Sequence, residues 1–214
     1  MQSGKQIEKT TIRGAQYTTA ASDGILSFSA ATAAAVVFCI DDYNAVAGFL
    51  LMAFAAGIGT VRFYQTCPSV ALVSLHLYAA WSVQVLGLPL LAAAYLQHYY
   101  PQVSFLLPAA SVAVVLLERY LFNVDMRSII AEIFGAVAVI TVLACNIFAL
   151  NLFGIVGAAT IAVAGLVVKI EGQICGYLCV DIFHYMVAFS NVALLKGLQQ
   201  FQSAPSYYKP YYTQ

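Results

Sequence analysis

The sequence predicts an all-α membrane protein, a bundle of helices that crosses the bilayer several times. Charged residues make up 8% of the 214 residues and hydrophobic residues 62%, whereas soluble domains carry about 25% and 45–50%. The mean hydropathy is +0.86. The apolar residues form long runs, such as 25–40 and 136–150, rather than the ~10-residue alternating segments of barrel strands. Runs of ~20 residues suit helices, which satisfy their own backbone polar groups across a hydrocarbon core of ~30 Å.

Seven apolar segments are long enough to be membrane-spanning helices. Each is bounded by charged, polar or turn-forming residues, such as Asp41-Asp42 after the first and Cys67-Pro68 after the second. The weakest boundary is Asn151, a single polar residue between two apolar runs, and a re-entrant hairpin there would leave five or six crossings. The predicted transmembrane domain covers residues 23–199, with spans at 23–41, 44–64, 69–96, 103–122, 128–149, 152–170 and 173–199.

The basic residues indicate how these spans are oriented. With seven spans and a cytosolic amino terminus, seven basic residues fall on the cytosolic side and two on the other, which satisfies the positive-inside rule. We therefore predict a cytosolic amino terminus and an outside or lumenal carboxyl terminus. The cytosolic set is Lys5, Lys9, Arg13, Arg62, Arg119, Arg127 and Lys169, and the outer set is Lys196 and Lys209.

The two polar ends are too short to form a soluble domain. Residues 1–22 are predicted to be a cytosolic tail, and the absence of an apolar segment before about Ile25 argues against a cleavable secretory signal. Residues 200–214 form a tyrosine-rich tail, either a docking peptide for a protein partner or an end with interfacial aromatic side chains. The first span would act as the insertion signal, so the endomembrane system or the plasma membrane is the expected location.

Small residues predict close contacts between helices. The glycines supply either a dimer face or, as the favoured interpretation, packing inside one compact bundle. Four of the five cysteines lie in or beside apolar runs and are predicted to be packing residues, and Cys67 is the one candidate for palmitoylation. The glycine pairs are Gly57 and Gly59, Gly154 and Gly157, and Gly172 and Gly176.

The last span carries a polar stripe. Tyr177, Asp181, His184, Ala188 and Asn191 follow one another at helical spacing and are predicted to share one face. Asp181 and His184 are three positions apart, close enough for the carboxylate to accept a hydrogen bond from the imidazole and fix its tautomer. Ionisable groups within membrane spans are costly, so each of them is a candidate for function.

Ionisable residues of four helices are predicted to meet near the cytosolic face. The cluster is either a functional site or a set of structural groups. In the structural interpretation Asp23 caps the first span beside Ser22, Arg62 extends to the interface, and Asp181 and His184 form a neutral buried pair. The predicted cluster consists of Asp23, Arg62, His76, Asp181 and His184.

The remaining charged residues near the span ends are assigned to the interfaces. Glu118-Arg119 and Asp125-Arg127 are interpreted as interfacial charge pairs. Glu132, which opens the fifth span, is interpreted in the same way. His98 belongs to the outer turn and is not expected to reach the cluster.

The segment Asp181-Ile182-Phe183-His184-Tyr185-Met186-Val187 resembles the final-helix histidine motif of the seven-helix superfamily that includes alkaline ceramidases and progestin and adipoQ receptors. The segments 22–26 and 59–63 resemble a family of uncharacterised small membrane proteins related in pattern to that superfamily. Hydrolases of the superfamily hold zinc with three histidines and cleave lipid amides. The resemblance implies His76, His184 and either Asp181 or Asp23 as zinc ligands. Arg62 stands where a second-span histidine is expected, and its positive charge opposes metal binding.

Three functions follow as hypotheses. The favoured one is a non-catalytic membrane subunit or scaffold that contacts the lipid bilayer and binds a protein partner through its transmembrane surface or its tyrosine-rich tail. The first alternative is a zinc-dependent intramembrane lipid hydrolase in which a metal-bound water attacks the substrate carbonyl. The second is a receptor or a transporter of small solutes or protons. The sequence carries no nucleotide-binding loop or basic nucleic-acid patch, so nucleic acid is not an expected partner.

Overall fold

The computed structural model describes residues 16–121 and 124–203, which form seven helices and one short hairpin. A single helical turn, Pro101–Ser104, precedes the fourth helix. Two helices contain a turn of π-helix, Val83–Gly87 within α3 and Ala164–Val168 at the end of α6. The helices are α1 (Tyr17–Phe38), α2 (Tyr43–Tyr64), α3 (Val70–Leu96), α4 (Leu106–Leu121), α5 (Val124–Phe148), α6 (Leu152–Val168) and α7 (Cys179–Ser203), and the strands are β1 (Gln173–Ile174) and β2 (Tyr177–Leu178).

The all-α class is confirmed, and five of the described helices are long and apolar enough to cross a membrane. The other two apolar helices, Pro101–Leu117 and Leu152–Val168, are shorter. The count of seven crossings and the orientation therefore stay predictions. The five long segments are Tyr17–Phe38, Tyr43–Tyr64, Val70–Leu96, Met126–Phe148 and Cys179–Phe201.

Polar side chains begin three of the helices at boundaries that the sequence indicated. Asp42, Ser69 and Asn151 each accept a hydrogen bond from the backbone N–H three residues further on, at 3.1–3.2 Å. Such caps satisfy backbone donors that have no partner within the helix. Leu150 has a φ of 52°, so the chain turns sharply just before Asn151. The weakest predicted boundary is thus a true break between α5 and α6.

The last helix begins later than predicted. α7 starts at Cys179 rather than at residue 173, because β1 and β2 pair as an antiparallel hairpin just before it. Gly172 lies just before β1 and Gly176 lies in the turn between the strands, with φ values of 98° and 84°, a left-handed conformation that glycine adopts without steric cost. The prediction that these two glycines pack on a helix face is therefore wrong. Tyr177 belongs to β2, so the polar stripe on α7 begins at Asp181.

The centre of the bundle is formed by α1, α2, α7 and the second half of α3. α1 packs along α2 and α7, α7 also packs on α6, and α3 lies between α2 and α5. Phe49, Tyr95, Leu91 and Leu194 are among the largest fully buried side chains. By contrast, only 22% of the most apolar stretch of α5 is buried inside the bundle, whereas 56% of the corresponding stretch of α7 is buried. α5 is therefore the least buried of the five long helices.

Candidate functional site

The five residues predicted to cluster lie at one end of the bundle. This end holds the first turns of α1, α3 and α7 and the last turn of α2. Because consecutive helices run in opposite directions, the end of α2 meets the starts of its neighbours. Asp23 lies on α1, Arg62 on α2, His76 on α3, and Asp181 and His184 on α7.

Asp23 lies inside α1 rather than at its start. The helix begins at Tyr17, so Ser22 and Asp23 occupy its second turn. Their exposed fractions are 0% and 1%. The interpretation of Asp23 as a helix cap is wrong, because a cap precedes the first helical residue. Both side chains instead contact groups of α7.

Ser22 joins α1 to α7. Its Oγ lies 3.0 Å from Nδ1 of His184, 3.4 Å from Oδ1 of Asp181 and 3.0 Å from the carbonyl oxygen of Thr19. On the other side of the imidazole, Nε2 of His184 lies 3.4 Å from Oδ1 of Asp23. His184 is thus held at both ring nitrogens, by a hydroxyl at one and a carboxylate at the other.

A single hydroxyl hydrogen cannot serve all three acceptors around Ser22. If it donates to Nδ1 of His184, the imidazole proton sits on Nε2 and points at Asp23. If it donates to Asp181 or to the Thr19 carbonyl, Oγ can accept from Nδ1–H. The contact between His184 and Asp23 then needs a further proton on one of the two. The group therefore has alternative hydrogen-bond arrangements that differ in where its protons lie.

Arg62 and His76 form the second half of the cluster. Nη1 of Arg62 lies 2.6 Å from Nδ1 of His76. The guanidinium carbon lies 4.8 Å from the centre of the Phe63 ring, which also meets the His76 ring edge-on at 5.6 Å. Because a guanidinium only donates, His76 must accept at Nδ1 and carry its proton on Nε2. Arg62 is thus a partner of His76 rather than only an interfacial flank.

Gly59 of α2 lies between the two halves. A Cβ at this position would contact the carboxylate of Asp23 and lie 2.9 Å from Nε2 of His76. Oδ2 of Asp23 is buried and has no hydrogen-bond partner among the described residues. The space above Gly59 therefore brings the unpaired oxygen of Asp23 near the N–H of His76. The result is one polar cluster built from four helices.

No protein-family model, curated protein or solved structure matches this chain. The resemblance of residues 181–187 to the superfamily of alkaline ceramidases therefore stays an expectation. In the structure this segment forms the first turns of α7, and its Asp181 and His184 are buried at 7% and 8% exposure.

The geometry bears on the predicted zinc site. Within the described residues, no group of three or more His, Cys, Asp or Glu side chains is arranged to hold a metal ion. His76 accepts from Arg62 at Nδ1, so its Nε2 carries the proton and has no free lone pair for a metal. The zinc ligands predicted at His76, His184 and Asp181 gain no support from this arrangement and stay a prediction.

A second polar layer, which the sequence did not indicate, lies at the opposite end of the bundle. Nε2 of Gln97 donates to Oδ2 of Asp42 at 2.8 Å, and Nδ2 of Asn44 donates to Oε1 of Gln97 at 3.4 Å. The buried Tyr95 hydroxyl donates to the carbonyl oxygen of Leu194 at 2.7 Å. These bonds join α3 to α2 and α7. They resemble the first cluster in linking helices, but they involve only one charged group.

The predicted packing glycines of α2 and α6 lie at contacts inside the bundle. A Cβ at Gly154 would overlap the side-chain amide of Asn146 on α5, and a Cβ at Gly157 would lie 2.8 Å from Leu194 on α7. Gly57 faces α1, where a Cβ would lie 3.4 Å from Oγ of Ser27. These contacts favour internal packing over the alternative of a dimer face.

Proposed function

We propose that this chain is a non-catalytic membrane subunit that crosses the bilayer seven times, with its amino terminus in the cytosol, and binds a partner through its outer helices. The observation that carries the proposal is that interior polar groups link helix to helix at both ends of the bundle. Ser22 contacts α7, and Arg62 contacts α3 through His76. Gln97, just after α3, donates to Asp42, just before α2. Such bonds contribute about 0.6 kcal/mol each on average in membranes and fix how helices pack.

The shorter helices are compatible with seven crossings. α6 consists of 12 residues of α-helix and 5 of π-helix. Its length is about 25 Å at 1.5 Å per residue, against a hydrocarbon core of about 30 Å. A bilayer thins around a helix of this length at modest cost. With seven crossings, the positive-inside count supports a cytosolic amino terminus.

α5 offers a surface for the partner. The buried share of its apolar stretch is the smallest among the five long segments. Its outward side chains include Ile129, Ile133, Val137 and Ile140, with exposed fractions between 44% and 65%. In an isolated chain these side chains contact lipid, and in a complex they are available to another helix.

Native mass spectrometry of the tagged chain, extracted with its surrounding lipid and without detergent, tests the proposal. We expect a second polypeptide at a fixed ratio to the chain. A chain recovered alone would overturn the proposal. Zinc at about one ion per chain, lost in His184→Ala, together with lipid hydrolysis, would point instead to the predicted hydrolase.

The alternative hydrogen-bond arrangements around Ser22 favour a second candidate function, the transfer of protons through the cluster. When the Ser22 hydroxyl donates to Asp181 or to the Thr19 carbonyl, His184 can carry its proton on Nδ1, and one further proton that enters the cluster can occupy the contact between Nε2 and Asp23. In vesicles with an internal pH dye, we expect protons to follow an imposed potassium diffusion potential with the wild-type chain but not with Asp23→Asn. Asp41→Asn, an exposed carboxylate at the other end of α1, is the control. Equal proton flux in the wild type and Asp23→Asn would reject this function.

A further inference from the structure

The hairpin between α6 and α7 is exposed along nearly all of its length. Residues 169–177 are exposed and Leu178 is half-buried. Among the described residues its sheet contains two strands, so β1 and β2 pair with each other and with no third strand. The chain reverses at Cys175 and Gly176, whose φ values of 53° and 84° are both positive, as in the two-residue type I′ turns of hairpins. The bundle therefore covers little of this hairpin.

One face of the hairpin is apolar. Ile174 of β1 and Tyr177 of β2 lie directly opposite each other in the register of the two strands, so their side chains share a face. They are 41% and 69% exposed. Residues 169–178 contain one basic and one acidic residue, Lys169 and Glu171, and so carry no net charge. This face therefore suits an uncharged, partly apolar surface better than a strongly charged one.

Exposed apolar side chains on the flanking helices lead up to the hairpin from both sides. Leu166 and Val167, near the end of α6, are 77% and 70% exposed. On α7, Tyr185 and Phe189 are 46% and 58% exposed. α7 is one of the helices long and apolar enough to cross a membrane, and the hairpin directly precedes its first residue. Where α6 and α7 cross the bilayer, their connection therefore lies at its boundary.

The backbone and the side chains of the hairpin set opposite limits on its depth. A two-stranded sheet leaves the outward N–H and C=O groups of both strands unpaired, which is costly in hydrocarbon, so the strands do not suit the core of the bilayer. In water, by contrast, the apolar surface of Ile174 and Tyr177 would remain hydrated. The headgroup layer satisfies both requirements, because it hydrogen-bonds backbone groups and accommodates amphipathic rings such as that of tyrosine.

We propose that the face of the hairpin formed by Ile174 and Tyr177 binds the headgroup layer of the bilayer. The two side chains point toward the hydrocarbon, and the backbone of the strands stays among the headgroups. Because the hairpin carries no net charge, this binding does not require anionic lipid. The inference rests on the crossing of the bilayer by α6 and α7, which is part of the proposed function, and adds a lipid contact at their connection.

A hairpin held at this level also fixes the depth of the polar cluster. Asp181 and His184 lie three and six positions after Leu178, about 5 Å and about 9 Å further along α7 at 1.5 Å per residue. Both groups then lie within two helical turns of the headgroup layer, where water is present. The polar cluster is therefore close to the membrane surface rather than at the centre of the bilayer.

Tryptophan fluorescence in phosphatidylcholine vesicles tests the depth of the hairpin. The full-length chain carries Trp81→Phe, so that Tyr177→Trp supplies its single tryptophan. Phe189→Trp in the same background is the deep reference, about 15 Å along α7 from its first residue. The vesicles contain a lipid-bound quencher placed either near the headgroup or near the end of the acyl chain. We expect the shallow quencher to act more strongly on Tyr177→Trp and the deep quencher on Phe189→Trp. Iodide in the water should quench Tyr177→Trp at least about twofold less than a free tryptophan amide.

Two results would overturn the inference. Iodide quenching of Tyr177→Trp equal to that of the free amide would place the hairpin in water. A quenching profile equal to that of Phe189→Trp would place it in hydrocarbon. If neither lipid-bound quencher acts on Phe189→Trp, α7 does not cross the bilayer, and the proposed seven crossings fail together with the inference. Quenching of Phe189→Trp without quenching of Tyr177→Trp rejects the inference alone.

Ile174→Asp shows whether the apolar face holds the hairpin in place. In the Tyr177→Trp background it should raise iodide quenching by about twofold, because a carboxylate opposes contact with hydrocarbon. Gln173→Asp, on the opposite face of β1, should leave the quenching unchanged. Equal effects of the two substitutions would overturn the assignment of this face. So would a lipid-quenching profile that appears only when phosphatidylglycerol is added, because it would identify attachment by charge.

Discussion

The carboxylate of Asp23 on α1 occupies the space into which a side chain at Gly59 of α2 would project. His76 of α3 reaches the same space from the other side, with Nε2 2.9 Å from that Cβ position. Three helices therefore meet at one residue that has no side chain. The polar cluster closes because α2 presents only backbone at this point, which lets two ionisable groups approach each other between the helices.

Gly59→Ala should destabilise the bundle more than Gly57→Ala. The new methyl group at position 59 must displace the buried Asp23 carboxylate, whereas at position 57 it lies 3.4 Å from Oγ of Ser27. We expect a loss of about 1–3 kcal/mol in the free energy of unfolding for Gly59→Ala and a smaller loss for Gly57→Ala. Unfolding in mixed detergent micelles, followed by the fluorescence of the single tryptophan, measures both. Equal losses would show that position 59 is not specially restricted.

The membership of the cluster could be predicted because each residue lies a short distance from the same end of its helix. That argument used only helix direction and charge, and it found Asp23, Arg62 and His76 on three different helices. Ser22 and Gly59 could not be identified in this way. A hydroxyl is ordinary in a membrane helix, and the importance of an absent side chain depends on what lies opposite it.

Other features depended on contacts that a sequence does not reveal. Gly172 and Gly176 have a spacing that suits a helix face, and only the hairpin geometry shows that they serve as turn residues. Boundaries set by single polar residues were easier to predict, because Asp42 and Asn151 act locally as helix caps.

The close contact between α6 and α7 predicts that alanine is destabilising at Gly197 and tolerated at Gly165. A Cβ at Gly197 would lie 2.8 Å from the hydroxyl of Tyr95 and 3.0 Å from the backbone of Gly154, which cannot move aside easily. Gly165 is exposed and has nothing within 4 Å of its Cβ position. Gly197→Ala should cost about 1–3 kcal/mol, and Gly165→Ala should be neutral or slightly stabilising. Thermal unfolding in detergent compares them, and a neutral Gly197→Ala would contradict the close approach of the helices.

The hydrogen bond from the Tyr95 hydroxyl of α3 to α7 should contribute measurably to the stability of the bundle. Tyr95→Phe removes its 2.7 Å hydrogen bond to the carbonyl oxygen of Leu194 and leaves the ring in place. We expect a loss of about 0.5–1.5 kcal/mol in the free energy of unfolding. Tyr100→Phe, whose side chain is 61% exposed, should be neutral under the same conditions. If both variants unfold at the wild-type detergent fraction, the bond contributes nothing net.

The stability of the end of the bundle opposite the Asp23–His184 cluster should depend on pH through Asp42, which lies just before α2. Burial raises the pKa of Asp42 above its ordinary value of 3.8, although bonds from the backbone of Ala45 and from Gln97 oppose the shift. Because the folded state holds this proton more tightly than the unfolded state, the contribution of Asp42 is fully present below the unfolded pKa. It is lost as the pH rises through the folded pKa. Asp42→Asn keeps a capping oxygen but has no charge to bury, so the wild type should lose stability relative to Asp42→Asn as the pH rises from 4 to 7.

Asp42→Ala separates this electrostatic effect from the loss of the helix cap. It removes the bond to the Ala45 backbone and the bond from Gln97, and relative to Asp42→Asn it should cost about 1 kcal/mol or more at every pH. Unfolding midpoints of the three proteins, measured in one detergent between pH 4 and pH 7, give the comparison. If Asp42→Asn lost stability relative to the wild type as the pH rose, the Asp42 pKa would be lowered by folding, and its carboxylate would be paired rather than destabilised by burial. Because Asp42→Ala lacks the titrating group as well, its difference from Asp42→Asn should stay constant across this range and so isolate the contribution of the cap.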